Sequence, residues 1–299
     1  DDLIQSIEAN IEILKTNPAS VELTDKLLLD LTKESLEHAP RRRFLQGDPE
    51  AILFVEYYAE STADLEKKMD GLEDRMRRKG LGYANVRAIS VADQANMWAV
   101  RKAGLGLLMG MKGDAKPTSG VEDICIPTEY LPEFVRRVQQ SMLSHGVDAT
   151  YYGHCSVGVL HIRPVLNLKD PEGINILRAL EDELSDMALE YGGAMSAEHG
   201  DGLARSEWIP KMFGKQILRS FEQTKEAFDP NFLMNPGKIV HAPKMDENLR
   251  YGSAYQNTSL ETFFTFDSEG GFQEAVELCS GVGQCRKKLV GTMCPSYMA

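Results

Sequence analysis

Two short stretches hold the residue types from which a polar reaction centre can be built. Gly153-His154-Cys155-Ser156-Val157-Gly158-Val159-Leu160-His161 sets two histidines seven positions apart. On a straight strand they would face opposite sides, but a turn near Gly158 lets both imidazoles converge. Glu198-His199-Gly200-Asp201-Gly202 places a carboxylate beside a histidine in a glycine-flanked loop, where backbone can approach a ligand closely. Two histidines and a carboxylate form a sensible divalent-metal set with a position open for a substrate oxygen. The remaining histidine is then available as a proton acceptor near neutral pH. Taken singly, each of these histidines would more commonly be a satisfied core or surface residue. Three of the chain's six histidines in two glycine-flanked loops point the other way.

These loops must be carried by ordinary elements. Residues 1–47 read as polar and helical, ending in Arg41-Arg42-Arg43, a solvated turn. Ala51–Tyr58 is short, aromatic and aliphatic, so it reads as a buried strand. Leu65, Met69, Leu72 and Met76 predict a helix over 62–79 that stops at Gly80. Val121–Ile126 is a strand candidate, and a helix opens at Pro127-Thr128 and stops at Gly146. Tyr151–Pro164 reads as a pair of short strands around Gly153 and Gly158. Asp170-Pro171 caps the next helix, and a last one carries Phe213, Ile217, Phe221 and Phe228 on one stripe before Asp229-Pro230. Strands alternating with long helices imply an α+β or α/β layer.

Composition excludes several classes. The chain has 299 residues, 45 acidic against 33 basic, and a net charge of −12. Nucleic-acid binding is not expected of so acidic a surface, because phosphate backbones are held by clustered Lys and Arg. The longest run free of charged residues, Ala149 to Ile162, is too short for a transmembrane helix, and the N-terminus lacks signal-peptide character. A cytoplasmic location is expected, with docking at the inner membrane face as a further hypothesis. The opening Asp1-Asp2, without methionine, reads as a processed product or a piece of something longer. Five cysteines, three of them in the last 21 residues (Cys279, Cys285 and Cys294), suggest a reducing compartment and terminal metal chemistry.

The two histidine stretches and Leu233-Met234-Asn235-Pro236-Gly237-Lys238 occur in an order that resembles the C-terminal half of FAD-linked oxidases. That vanillyl-alcohol-oxidase-type group includes D-lactate, glycolate and D-2-hydroxyglutarate dehydrogenases. Trp98-Ala99-Val100-Arg101-Lys102, and Lys116-Pro117 through Glu122-Asp123-Ile124-Cys125-Ile126-Pro127, are similar to the same family's cap region. The resemblance, over roughly residues 20–240, implies an α+β fold: an antiparallel sheet with helices on one face, a ferredoxin-like cap, followed by a mostly irregular tail. It divides the chain into a helical lead-in (1–47), the cap and C-terminal strip (48–240), a linker (241–262) and the start of a truncated iron–sulfur module (263–299).

The resemblance also implies roles. His154, His161 and Glu198 would hold a divalent metal, zinc or manganese. His199 would take the substrate hydroxyl proton as hydride moves to the flavin. Arg101 and Lys116 would pair with carboxylates of a small 2-hydroxy acid. Asn235, Gly200 and Lys238 would meet FAD. Two departures stand out. Many relatives have Asp-Gly-Asn between the histidines where this chain has Ser156-Val157-Gly158-Val159, so the surroundings of the metal must differ. The glycine-rich pyrophosphate loop of an N-terminal FAD domain is not found before residue 100, and Gly104-Leu105-Gly106 sits in an apolar helical stretch. The expectation is a fragment whose parent supplies the FAD domain and a downstream iron–sulfur domain. Arg163 is either another anion contact or a strand-edge surface residue.

Cys279, Cys285 and Cys294, the last followed by Pro295, resemble the entry to the iron–sulfur part of fused flavin oxidoreductases. A 4Fe-4S cluster would belong to the parent, with its fourth ligand beyond residue 299 and a quinone or other acceptor downstream. The sequence thus supports an FAD-dependent, metal-assisted D-2-hydroxy-acid dehydrogenase, with a lean toward D-2-hydroxyglutarate over D-lactate. The alternatives are a flavin-independent metal hydrolase, which leaves Asn235-Pro236-Gly237-Lys238 unexplained, and a non-catalytic binding module.

Overall fold

A computed structural model describes residues 2–258 and 260–279. Helix α1 (Leu3–Leu14) starts where the Asp2 carboxylate accepts the Gln5 N–H at 2.7 Å. Strand β1 (Ser20–Asp25) runs straight into α2 (Lys26–Glu34), capped by Asp25 through Leu28 N–H. Strand β2 (Ala51–Glu56) and α3 (Thr62–Lys79) follow; Ser61 caps α3 and Gly80 closes it in the left-handed region. Helices α4 (Val91–Lys102) and α5 (Gly104–Met109) lead to two-residue strands β3 (Lys116–Pro117) and β4 (Ile124–Cys125). Then come α6 (Leu131–Ser144), β5 (Ala149–Gly153), β6 (Val159–Leu166) and α7 (Pro171–Glu190). Short α8 (Gly202–Arg205), α9 (Ile209–Phe228) and α10 (Phe272–Glu277) complete the described chain.

The six strands form one sheet in the order β2-β1-β5-β6-β3, with β4 also on β6 and every pairing antiparallel. Strand periodicity divides its side chains. Val21, Leu23, Tyr151, Leu160 and Ile162 point to the face covered by α1, α3, α6 and α7, where they join Phe134, Val138, Leu180 and Leu184 in the main core. Their neighbours Glu22, Tyr152, His161 and Arg163 therefore point to the other face, which α2 and α5 cover only in part through Leu28 and Leu108. The fold is the expected α+β arrangement with its main helix layer on one side. A slip of one residue in the Tyr152–His161 register would move the histidine into the helix layer.

Three local readings need correction. Residues 1–47 are not wholly helical, because β1 lies inside them and pairs with both β2 and β5. Its polar alternate positions hid a buried strand, since Glu22 and Thr24 serve the second face. The strand expected over Val121–Ile126 shrinks to Ile124–Cys125, because Asp123 adopts φ +72°. The stretch read as a linker from 241 is anchored at its start. Met245 is buried with Leu166, Leu177, Met195 and Trp208, and Asp246 pairs with Arg178 at 3.0 Å. The aromatic stripe of α9 is largely solvent-facing, with Phe213 52% and Phe228 81% exposed.

The β5–β6 connection turns at Gly158, with φ +77°, and a Cβ there would lie 1.9 Å from the Ile126 carbonyl oxygen. Gly158→Ala is expected to cost more than the roughly 1–2 kcal/mol that a left-handed conformation alone costs an L-residue. A lower urea midpoint at unchanged slope would show it; an unaltered midpoint would mean that this turn is not fixed as described.

Candidate functional site

Three segments meet on the open face of the sheet. His161 comes from the middle of β6, His154 from the residue after β5, and Glu198 and His199 from the loop between α7 and α8. One oxygen, Glu198 Oε1, lies 3.2 Å from His154 Nε2 and 3.4 Å from the Nε2 atoms of both His161 and His199. The His161 and His199 rings stack in parallel planes at 4.8 Å, and His154 meets His161 edge-on at 5.4 Å.

The loop is held from below by Asp123, which is wholly buried. Its Oδ2 accepts the backbone N–H groups of Ala197, Glu198 and His199 at 3.0, 3.1 and 2.8 Å. Arg205, also buried, donates to the carbonyls of Gly120, Glu122 and Gly200 and ties the same loop to the start of β4. Backbone is thereby fixed where a mobile loop would leave Glu198 and His199 unplaced.

Two of the imidazoles are aimed by buried carboxylates. His154 Nδ1–H donates to Glu22 at 2.7 Å, and Glu22 is paired with Arg101 at 2.8 Å. His199 Nδ1–H donates to Glu122 at 3.2 Å, and Glu122 is paired with Arg163. Arg163 also donates from Nε to Tyr152 Oη at 2.9 Å, while the Arg101 guanidinium lies over the Tyr152 ring at 5.4 Å. The Glu22 hydrogen bond raises the His154 pKa. Burial, followed by the neighbouring His199 and His154, pushes His161 down to about 3, so that ring is neutral at physiological pH.

This arrangement fits a divalent cation. When the rings are neutral and the Nδ1 protons of His154 and His199 are committed to carboxylates, their Nε2 atoms are acceptors, and they face a carboxylate oxygen that is also an acceptor. Acceptors at 3.2–3.4 Å repel unless a positive charge lies among them. Asp123, His161, Glu198 and His199 also group with one ligand-capable atom each within 4.8 Å. Asp123 is the weaker member of that set, because its Oδ2 already accepts three N–H groups.

Of the residues singled out in the sequence, the structure brings together His154, His161, Glu198, His199 and Arg101. Lys116 is not with them. It pairs with Leu166 at the far end of β6, about 16 Å along the strand from His161. Its ammonium bonds the Met111 carbonyl, and burial lowers its pKa. Gly200 adjoins His199, with its carbonyl taken by Arg205 at 2.6 Å. Asn235 is exposed in a turn that Asp229 holds through the N–H groups of Leu233 and Met234. Lys238 is half-buried beside Ile239, whose N–H donates to Ser206 at 2.9 Å. Arg163 is not a surface residue: it is 5% exposed and spent on Glu122 and Tyr152. Cys279 is exposed, with its carbonyl accepting from Arg250, whereas Cys285 and Cys294 lie outside the described residues. Among the described residues no helix is long and apolar enough to cross a membrane.

Glu22, Glu122, Asp123, Tyr152 and Arg205 join the site without belonging to either histidine stretch. The adjacent Glu122-Asp123 beside apolar residues was a signal, since buried carboxylates need partners. Glu22 offered only its alternation with Val21 and Leu23.

The family model for the C-terminal domain of FAD linked oxidases matches residues 1–239. A D-2-hydroxyglutarate dehydrogenase of Escherichia coli (strain K12) is 28% identical over 95% of this chain and 29% of its own length. One from Haemophilus influenzae is 30% identical over 95% of the chain and 28% of its own length. The chain thus spans under a third of those relatives. A crystal structure of p-cresol methylhydroxylase with substrate bound aligns at a TM-score of 0.53 and 13% identity, covering 83% of this chain and 52% of the other. That likeness concerns the fold.

Proposed function

The chain belongs to the family of FAD linked oxidase C-terminal domains, and on that premise we propose that it is the substrate-handling part of an FAD-dependent, metal-assisted D-2-hydroxy-acid dehydrogenase. The observation that carries the reading is the convergence of three imidazole Nε2 atoms on one Glu198 oxygen. His154, His161 and Glu198 would hold the cation, zinc or manganese, and Asn235, Gly200 and Lys238 would face FAD. When bound, the flavin supplies a hydride acceptor and the metal supplies Lewis-acid polarisation of the substrate hydroxyl.

The chain's own residues do the rest. His199 Nε2 accepts the hydroxyl proton, because its Nδ1–H is fixed on Glu122 and its ring is the most exposed of the three. Arg101 keeps a buried Nε with no partner among the described residues, a donor left for a substrate carboxylate. The sheet behind His161 excludes water from one side of the site. The products are the 2-oxo acid, one proton on His199 and the reduced flavin. Relatives named for D-2-hydroxyglutarate over nearly the whole chain favour a dicarboxylate, and the distance of Lys116 from the histidines leaves Arg101 as the anchor closest to them. Electron passage to a 4Fe-4S cluster held in part by Cys279, Cys285 and Cys294, and then to a quinone or other acceptor, belongs to the same proposal. So do the cytoplasmic location and the contributions of an FAD domain and an iron–sulfur domain.

Elemental analysis of the purified chain tests the reading. About one zinc or manganese per chain is expected, lost in both His154→Ala and Glu198→Ala. A chain that stays metal-free after loading would sink the ligand assignment.

A further inference from the structure

We infer that Glu22 and Glu122 are positioning residues with separate tasks: Glu22 sets how firmly a cation is held by aiming His154, and Glu122 sets the proton acceptor by aiming His199. This rests on the reading of His154 as a ligand and His199 as the base. Glu22 is 8% exposed and Glu122 6%, and neither is placed where a substrate would meet it first. Each is braced from behind by an arginine: Arg101 for Glu22, Arg163 for Glu122. A buried carboxylate costs several kcal/mol of desolvation unless it is paired, and each arginine gives its acid that partner while leaving an oxygen for the imidazole N–H.

The two chains of contact are alike in chemistry and unrelated in backbone. One runs from α4 through β1 to the residue after β5. The other runs from β6 through the residue two before β4 to the α7–α8 loop. Each ends on Nδ1, which leaves the opposite nitrogen directed at Glu198. His161 lacks such an arm: its Nδ1 is buried without a partner among the described residues, and its orientation comes from stacking on His199 and from Tyr152 at 4.9 Å. Arg163 is in this view no substrate anchor. Its Nε serves Tyr152 and its terminal nitrogen serves Glu122. Tyr152 joins the two arms, with its hydroxyl on Arg163 and its ring under Arg101.

The test reads nitrogen tautomers and metal affinity on the whole chain. Long-range nitrogen–proton correlation spectra, taken above the imidazole titration range, should show His154 and His199 as Nδ1–H tautomers. In Glu22→Gln only the His154 pattern should change, and in Glu122→Gln or Arg163→Met only that of His199. Calorimetric titration with zinc(II) alone should show about 10–100-fold weaker binding for Glu22→Gln. For Glu122→Gln the affinity should stay within about threefold, well under that range. An Nε2–H tautomer at either histidine in the unsubstituted chain overturns the inference, and that readout needs no variant to fold. Equal loss of zinc affinity in both variants overturns the division of tasks. A chain that binds no zinc but shows both Nδ1–H tautomers refutes the ligand reading and the task given to Glu22, while the aiming of both rings stands.

Discussion

Exchanging His199 for glutamine is expected to lower kcat of the flavin-loaded enzyme by roughly 10²–10⁴-fold, the usual contribution of a positioned proton acceptor. Metal content should not change. The three imidazoles differ in access: the His199 side chain is 40% exposed, His154 33% and His161 only 4%. The ring that solvent and substrate reach most easily is thus also the one whose far nitrogen is fixed by Glu122. Steady-state kinetics with D-2-hydroxyglutarate or D-lactate, run beside elemental analysis, separates the roles. If the glutamine variant loses its metal as well, His199 belongs in the ligand set, as its place among the four atoms within 4.8 Å would allow. An unchanged kcat would leave the proton to another group.

A second large effect concerns stability and comes from beneath the site. Glu181, on α7, is buried with both carboxylate oxygens unpaired among the described residues. Burial pushes its pKa up to about 8, with Arg205 opposing and Glu122 adding to the rise. The sign follows from proton counting. Below the unfolded value near 4.5 both states are protonated and the group contributes nothing to the pH dependence. Between there and about 8 the unfolded chain has released a proton that the folded chain keeps, so stability falls as pH rises. The loss amounts to about 1.4 kcal/mol per pH unit and levels off above the folded value, on the order of a few kcal/mol in all. Asp25, raised to about 6 by burial, titrates in the same direction. The clean measurement is therefore the difference between the unsubstituted chain and Glu181→Gln. Urea midpoints at pH 5.5 and 8.5 should show the variant gaining stability relative to its parent at the higher pH. A difference independent of pH would mean that Glu181 has a partner and ionises normally.

Features that depend on near neighbours are written in the amino-acid order alone. Ser61 and Gly80 bound α3, Asp170-Pro171 opens α7, and the glycines at 153 and 158 turn the chain between β5 and β6. These are capping and turn signals whose physics spans a few residues. The same locality made His154, His161, Glu198 and His199 legible, since each pair sits in one short glycine-flanked stretch. Tertiary structure decided how they are aimed. Glu22 reaches His154 across 132 residues and Glu122 reaches His199 across 77, and no local pattern encodes either distance. The first contact follows from sheet register, which puts Glu22, Tyr152, His161 and Arg163 on one face because strand side chains alternate, and the second from the Asp123 and Arg205 hydrogen bonds that hold the loop carrying His199. That register also buries Arg163, which alone in the sequence reads equally well as a surface residue, and carries Lys116 to the far end of β6. Residue types made the cluster legible, and long-range contacts fixed which nitrogen of His154 and of His199 faces Glu198.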